Sequence, residues 1–443
     1  MPGPTRHDDG APASAPRPTS QLASRLAPLR GGDHAAVLHR ALEARASGRV
    51  PLVGDERWSE EHWQASVAHA EQLLADLTAD HPGRAAQVAW AAFTSGSTGR
   101  PRVVLRTASS WEVGHRHAAR WLGLRPGDRL LVPVHPVSSM AVNAADLCAR
   151  TGAELRVPGR ARLRAEDLEA VTAVHCTPSQ LEDLCDLIEA RAETGPDPVA
   201  PATSTAPALR AALVGGDRLP AGLRERAAGL GVRVVHYYGS AEASFVAVDP
   251  DGTGLRPLPD VRLEVRAGVL HVRSEQTAEP DATVLASGTP RWSPDGWLCT
   301  GDRAEIDDGG VLHLRGRADD AILTGGATVI PAEVEAELLR AGACSAVLVL
   351  GRPAPRLGSL VVAYVEPFPG RQGPSGEEVL AVLQEHARRH LPPAARPRRW
   401  HLVDRLERTG SGKVRRLAPD AGVASAPGIA PDSGTGPSTE SAR

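Results

Sequence analysis

The sequence predicts an α/β protein: a large N-terminal domain with parallel sheets and a β-rich subdomain, followed by a small α+β C-terminal domain. Three observations carry this expectation. Short apolar runs alternate with helical stretches from about Val88 to Ser240, the rhythm of strands joined by crossover helices. From about Val261 the rhythm gives way to brief strands separated by turns, "VRLEVRAGVLHVRS" and "GGVLHLRGR". After Arg317 a third pattern packs two helices and two strands into roughly 100 residues, the size of one compact module. The domain reading is a disordered tail at 1–20, an N-terminal domain at 21–317, a mobile C-terminal domain at 318–418 and a second tail at 419–443.

Each element has a local cause. The tails are rich in Pro, Ala, Gly and Ser and can bury little. Between Ser59 and about Asp80, the positions Trp63, Val67, Ala70, Leu74 and Leu77 follow helical spacing, and Ser59 is a suitable N-cap. "AAQVAWAAFT" reads as a buried strand, as do "DRLLVPV", "RAALVG" and "VRVVHYYG". "TPSQLEDLCDLIEARA" reads as a helix capped at Thr177 or Ser179. The Pro/Thr/Ala-rich stretch 193–208 reads as a surface loop. In the last module, "PAEVEAELLRAG" and "GEEVLAVLQEHARRHL" are helices, and "AVLVLG" and "LGSLVVAYVEP" are strands.

Composition narrows the function classes. With 42% hydrophobic residues the chain of 443 can bury a sizeable core. A formal charge of −3 gives no reason to expect nucleic acid or an anionic membrane as partner. The 5 cysteines are scattered without a CxxC, which points to a reducing compartment and no structural zinc. No signal-like or membrane-spanning apolar run is visible, so a cytoplasmic location is expected. Lysine and asparagine each occur once, at Lys413 and Asn143, in a chain whose other basic residues are all arginine. A residue type retained at a single position becomes a candidate for chemical need.

One stretch suggests phosphate chemistry on its own, and a second carries the lone lysine. "FTSGSTGRPRVV", Phe93–Val104, places hydroxyls between glycines directly after a strand. Glycines let backbone N–H groups turn inward and hydroxyls add donors, so such a loop can wrap a phosphate. It is not GxxxxGK[ST], and a flexible linker is the bland alternative. "RTGSGKVRR", Arg408–Arg416, carries the lone lysine beside Gly410, Ser411 and Gly412, which would leave its loop free to reach. An ammonium is a compact cation on a flexible stem, whereas a guanidinium favours bidentate geometry. An ordinary surface lysine is the alternative.

"TSGSTGRPR", "YYGSAEAS", "WLCTGDRAEI", "GRADDAILTGGATVIPAEVE" and "RTGSGKVRR" occur in that order and together resemble the core motifs of the adenylate-forming superfamily. That superfamily includes acyl- and aryl-CoA ligases, nonribosomal peptide adenylation domains and luciferases. The resemblance spans roughly Val88 to Arg416. It implies an ATP-dependent acid–thiol ligase that makes an acyl-adenylate and transfers the acyl group to CoA, releasing AMP and pyrophosphate. The implied cofactors are ATP, Mg2+ and CoA, or the pantetheine of a carrier protein acting in trans. A stand-alone adenylation protein serving a separate carrier, or a non-catalytic nucleotide-binding regulator, are the rival readings.

The resemblance also implies roles. Thr94, Ser95, Gly96, Ser97, Thr98 and Gly99 would hold the β- and γ-phosphates, with Arg102 where the family usually has lysine. Tyr238 would stack on adenine beside Gly239 and Gly216. Glu242 would hold Mg2+, and Ala241 replaces the family's threonine. Asp302 would accept the ribose hydroxyls, and Arg317 would contact ribose or phosphate. Asp319 would be the hinge between domains, Gly326 would let the backbone approach pantetheine, and Lys413 would meet the α-phosphoryl and the attacking carboxylate. For the acid the candidates are His135, Ser139, Asn143, Gly215, His236 and Ala243, with a helix cap as the alternative for Asn143. Roughly 90 residues precede the phosphate loop, fewer than the family usually carries. This implies a reduced N-terminal subdomain.

Overall fold

The computed structural model describes residues 25–94, 102–159, 163–194, 209–281, 291–318, 320–324, 327–355, 357–368, 375–409, 412–419 and 424–426. The first sheet has the order β1 (Leu26–Leu29), β2 (Val50–Val53), β3 (Val88–Phe93), β4 (Val103–Thr107), parallel except for the β3–β4 pair. Helices α1 (His34–Ala46), α2 (Glu60–Asp80) and α3 (Pro82–Gln87) connect its strands. Ser59 caps α2 by accepting from His62 N–H. The stretch read as one strand from Ala85 begins only at Val88, because Pro82 at the first turn starts a short helix through Gln87.

A seven-stranded sheet is the centre of the large domain. It comprises β5 (Arg129–Leu131), β6 (Glu154–Arg156), β7 (Ala173–Cys176), β8 (Ala211–Val214), β9 (Arg233–Ser240), β10 (Ser244–Asp249) and β11 (Arg256–Pro257), in the order β11-β10-β9-β8-β7-β5-β6. The pairings from β6 to β9 are parallel and the two beyond β9 antiparallel. Helices α4 (Ala108–Leu122), α5 (Ser139–Thr151), α6 (Pro178–Thr194) and α7 (Leu223–Gly229) cover it. Period-two alternation sorts its strands between two cores: Leu130, Ala173, Leu213 and Val235 face one, while Leu131, Val174, Val214 and Val234 face the other. Burial on both faces explains why these strands read as continuous apolar runs.

Strands β12 (Arg262–Arg266), β13 (Val269–Arg273), β14 (Leu298–Ile306) and β15 (Leu312–Arg317) form an antiparallel sheet. The last sheet contains β16 (Ile322–Thr324), β17 (Ala327–Val329), β18 (Ala346–Ala354), β19 (Gly358–Glu366), β20 (Arg399–Leu402) and β21 (Ala424–Ala426). Helices α8 (Pro331–Leu339) and α9 (Gly376–His390) pack on one face of it, over a core that includes Val334, Val349, Ala363, Leu383 and Trp400. Strand β21 corrects the expectation of a structureless tail from 419. Residues 424–426 pair antiparallel with β20, whose edge offers unpaired backbone groups. The other tail, residues 1–20, lies outside the described residues. No helix among the described residues is long and apolar enough to cross a membrane.

Candidate active site

A cleft of about 390 Å³ opens at the carboxyl ends of the central strands, between the large domain and the 406–416 segment of the C-terminal module. In open α/β sheets this is where ligands bind, because loops leave the strands there. Thr94 and Arg102 close the base of the phosphate loop. Thr94 N–H donates to Arg102 O at 2.8 Å, and Arg102 N–H donates to Thr94 Oγ1 at 3.2 Å. Ser95, Gly96, Ser97, Thr98 and Gly99 lie outside the described residues, as do Asp319 and Gly326.

The Arg102 guanidinium reaches Glu242 Oε1 at 3.2 Å, and Arg291 approaches the same oxygen at 3.3 Å. Both cations close on Oε1, and no ion pair to Oε2 is seen among the described residues. One carboxylate oxygen plus waters and phosphate oxygens is a donor set that suits Mg2+, so Glu242 fits the ion's needs. Arg291 was invisible as a site residue in the sequence, because only folding brings it beside Glu242.

The turn carrying Glu242 rests on Arg106, which is completely buried. Arg106 donates to Ala241 O (3.1 Å), Glu242 O (2.9 Å) and Gln276 O (2.5 Å), and also to Ser244 Oγ. Burial pushes its pKa down to about 9. Ser244 takes φ +56, the left-handed region, within that bonded turn. Sequence reasoning missed Arg106, although an arginine inside the buried strand "VVLRT" was a visible signal.

Beside the turn, Tyr238 Oη donates to Asp302 Oδ2 at 2.5 Å, and Arg317 Nη1 donates to Asp302 Oδ1 at 3.2 Å and to Thr300 O at 2.9 Å. Burial first, and then the Asp302 charge, hold the Tyr238 phenol well above its usual range, so it remains a donor. The structure thus joins Tyr238, Asp302 and Arg317 in one network, with Gly239 and Gly216 on the cleft wall. A Cβ on Gly239 would fall 2.0 Å from Ser244 O, so only glycine allows β9 and β10 to close there.

Lys413 enters the same cleft. Its Cε lies 3.8 Å from the position a Cβ would take on Gly216, which has φ +91. Gly410 and Ser411 lie outside the described residues, and the chain on either side of them is tied down. Arg408 and Val414 form an antiparallel bridge, Thr409 N–H donates to Lys413 O at 2.7 Å, and Arg415 N–H donates to Glu407 O at 2.7 Å. Glu366 anchors one side by accepting from Leu406 N–H at 2.8 Å and Arg408 Nη2 at 3.3 Å. Arg416 anchors the other through Asp320 (2.9 Å), Glu335 (3.1 Å) and Val349 O (2.9 Å). The lysine is therefore presented by a tied hairpin.

The remaining acid-site candidates divide. Ser139 and Asn143, at the start of α5, line the cleft. His135, His236, Ala243 and Gly215 are not among the lining residues. His135 accepts from Val137 N–H through Nδ1 and donates through Nε2 to Glu56 at 2.9 Å. Since Nε2 carries the proton, the nearby His34–Glu56–His135 group is a hydrogen-bonded cluster rather than a ready metal site. His236 is buried and donates to Asp217 O at 3.1 Å. Ala243 is core. Gly215 supports the ring of Tyr237, which would lie 2.2 Å from a Cβ there.

Tyr237 and four further aromatic residues on the wall, Trp58, Phe93, Trp111 and Phe245, were not singled out as acid-site residues from the sequence. His175 also lines the cleft, with Nε2 2.9 Å from Tyr237 Oη. Burial lowers the pKa of His175 to about 3, and that of His115, bonded to Asn143 O, to about 4. Both rings are neutral in the fold but protonate near 6.5 when unfolded. Above that pH they impose no penalty; as pH falls below it the unfolded state binds more protons and stability drops. At pH 5 the expected loss is about 2 kcal/mol per histidine. Urea midpoints measured at pH 7.5 and 5 should fall accordingly, and His175→Phe should make the drop smaller by about 2 kcal/mol. A midpoint independent of pH would contradict this.

Comparison with known proteins places this architecture. The AMP-binding enzyme profile matches residues 26–280, and the AMP-binding enzyme C-terminal domain profile matches residues 333–413. The chain belongs to the AMP-binding enzyme family. It is an AMP-forming acid–thiol ligase. It is 33% identical over 340 residues to a probable 2-succinylbenzoate–CoA ligase of Mycobacterium tuberculosis (strain CDC 1551 / Oshkosh), covering 75% of this chain and 83% of that one. It is 29% identical over 346 residues to a feruloyl-CoA synthase of Amycolatopsis sp, covering 73% and 67%. The fold matches that of o-succinylbenzoate CoA synthetase from Bacillus subtilis, solved with an acyl-adenylate intermediate. That match has a TM-score of 0.68 at 20% identity and covers 88% and 87% of the two chains.

Proposed function

We propose that this AMP-binding enzyme activates a planar aromatic monocarboxylic acid and passes the aroyl group to CoA. The observation that carries the reading is the cleft wall. A chain with only 3 Phe, 3 Tyr and 8 Trp places Trp58, Phe93, Trp111, Tyr237 and Phe245 around one cavity. Tyr237 and Phe245 meet edge-on with centroids 4.7 Å apart, as do Trp58 and Phe93 at 5.0 Å.

Charge sharpens the substrate class. The buried cleft residues Trp111, Asn143, His175, Tyr237 and Phe245 are themselves uncharged, and the Arg106 guanidinium that lies over the Trp111 ring at 5.8 Å is spent on backbone carbonyls and the Ser244 hydroxyl. A second carboxylate lodged there would lose its hydration without a counter-ion. The carboxylate on the wall, Asp55, is already engaged by Arg57 through Nε at 2.7 Å, Nη2 at 2.5 Å and the backbone N–H at 3.0 Å. It is not a vacant anchor for a substrate amine. The cations Arg57, Arg408, Lys413 and Arg415 border the cleft, where the reacting carboxylate and phosphates would gather.

In this reading the acid's carboxylate oxygen bonds to the α-phosphorus as the bond to pyrophosphate breaks. The CoA thiol then attacks the acyl carbon and AMP leaves. Mg2+, when bound, offsets phosphate charge. Glu242 would hold it, with the carboxylate's other oxygen fixed by Arg102 and Arg291. Asp302 orients ribose, and Lys413 stabilises the charge shared by carboxylate and phosphoryl. Arg102 keeps the positive charge that the family's usual lysine would bring.

The test is ATP–pyrophosphate exchange over a panel of aromatic, aliphatic, dicarboxylic and amino acids, followed by acceptor assays with CoA and with a holo-carrier protein. Aromatic monoacids should support exchange best, and CoA should discharge the adenylate. Exchange confined to aliphatic acids or diacids would overturn the substrate class, and discharge by the carrier alone would overturn the acceptor.

A further inference from the structure

Among the described residues that line the cleft, Asn143 has a side-chain amide whose hydrogen-bonding capacity is unspent. Asn143 is 8% exposed and lines the cleft. Its backbone carbonyl accepts from His115 Nε2 at 3.1 Å, but its side-chain amide makes no hydrogen bond among the described residues. Neither amide atom is among the sealed, partnerless buried atoms, so the amide remains open to the cavity. It is also not the cap of its helix: Ser138 caps α5 by accepting from Met140 N–H, and Asn143 stands further along the helix. The uncharged residues Trp111, Tyr237, Phe245 and His175 line the same cleft.

We infer that Asn143 is a specificity-determining residue that hydrogen-bonds a neutral polar substituent, a ring hydroxyl, on the aromatic acid. The inference rests on the aromatic-acid reading above and adds to it the chemistry of the ring's far end. A carboxamide offers one acceptor and two donors, and a hydroxyl matches it by donating and accepting at once. An acid without such a group would desolvate the amide and give nothing in return, which is how a site built for a hydroxyl rejects the analogue that lacks it. A charged substituent would meet no opposite charge there. The His115 bond is to the backbone of Asn143, so side-chain replacement leaves that support in place.

The experiment compares kcat/KM in ATP–pyrophosphate exchange for ring-hydroxylated, methyl-substituted and unsubstituted benzoic and cinnamic acids, with the unaltered enzyme, Asn143→Leu and Asn143→Ser. The unaltered enzyme should favour a hydroxylated acid over its methyl counterpart by about 10-fold or more. Asn143→Leu, close in volume, should erase or invert that ratio, and Asn143→Ser should retain part of it. The ratio reads the contact itself, because a general loss of stability lowers both rates together. Equal rates for hydroxyl and methyl acids in the unaltered enzyme, or an unchanged ratio in both variants, would overturn the inference and leave the aromatic-acid reading standing. Failure of every aromatic acid in a panel where aliphatic acids react would overturn both.

Discussion

Replacing Lys413 by alanine is expected to lower ATP–pyrophosphate exchange by about 10²–10³-fold, the cost of removing one preorganised charge-stabilising donor. Thioester formation from preformed adenylate should fall less than about 10-fold, because the ammonium acts on the first step. The magnitude follows from geometry. The lysine side chain passes within van der Waals reach of Gly216, and its hairpin is tied by Glu366 and Arg416. Gly412, at φ +86, sits against the Thr177 and Ser179 hydroxyls, which seats the turn on α6 of the large domain. A rigid presentation leaves little for a neighbouring arginine to recover. Equal losses in both half-reactions, measured with purified adenylate, would contradict the assigned role.

Arg106→Met should be the most damaging change away from the reacting atoms. Its guanidinium donates to four backbone carbonyls, those of Ser110, Ala241, Glu242 and Gln276, and to the Ser244 hydroxyl, and methionine satisfies none of them. Breaking such a buried charged network typically costs about 3–5 kcal/mol. The freed turn carries Glu242, so the apparent Mg2+ requirement of exchange should rise together with the loss of urea resistance. Arg106→Lys should recover only part, since one ammonium cannot serve that spread of acceptors. A variant with unchanged urea midpoint and Mg2+ dependence would show that the turn stands without Arg106.

Much of this architecture was legible in the sequence because its causes are local. The strands β7, β8 and β9 are apolar runs between polar turns, and helix α2 has the expected spacing and its Ser59 cap. Thr94 and Arg102 flank β3 and β4, while Tyr238 lies within β9 and Asp302 within β14, and the linear order of their motifs gave their neighbourhood. What was missed depends on contacts distant in sequence. Arg291 meets Glu242 only after β14 folds against the large domain, and Trp111 and His175 reach the cleft from separate elements. His135 and His236 went astray for the same reason: Glu56 and the Asp217 carbonyl, both remote in sequence, engage them away from the cleft wall. The anchors that flank the lysine loop were not legible, because Glu366, Asp320 and Glu335 are remote from it in sequence.

The central claim is that one site forms across two modules, with Lys413 brought to an aroyl-adenylate held by the large domain. The most direct measurement is a crystal structure with a non-hydrolysable aroyl-sulfamoyl adenosine. The account predicts the Lys413 ammonium within hydrogen-bond reach, about 3 Å, of the acyl or sulfamoyl oxygens. It also predicts the aryl ring between Trp111 and Phe245, with the ribose on Asp302. An adenosine bound elsewhere, or an aryl group outside this cleft with Lys413 turned to solvent, would contradict it.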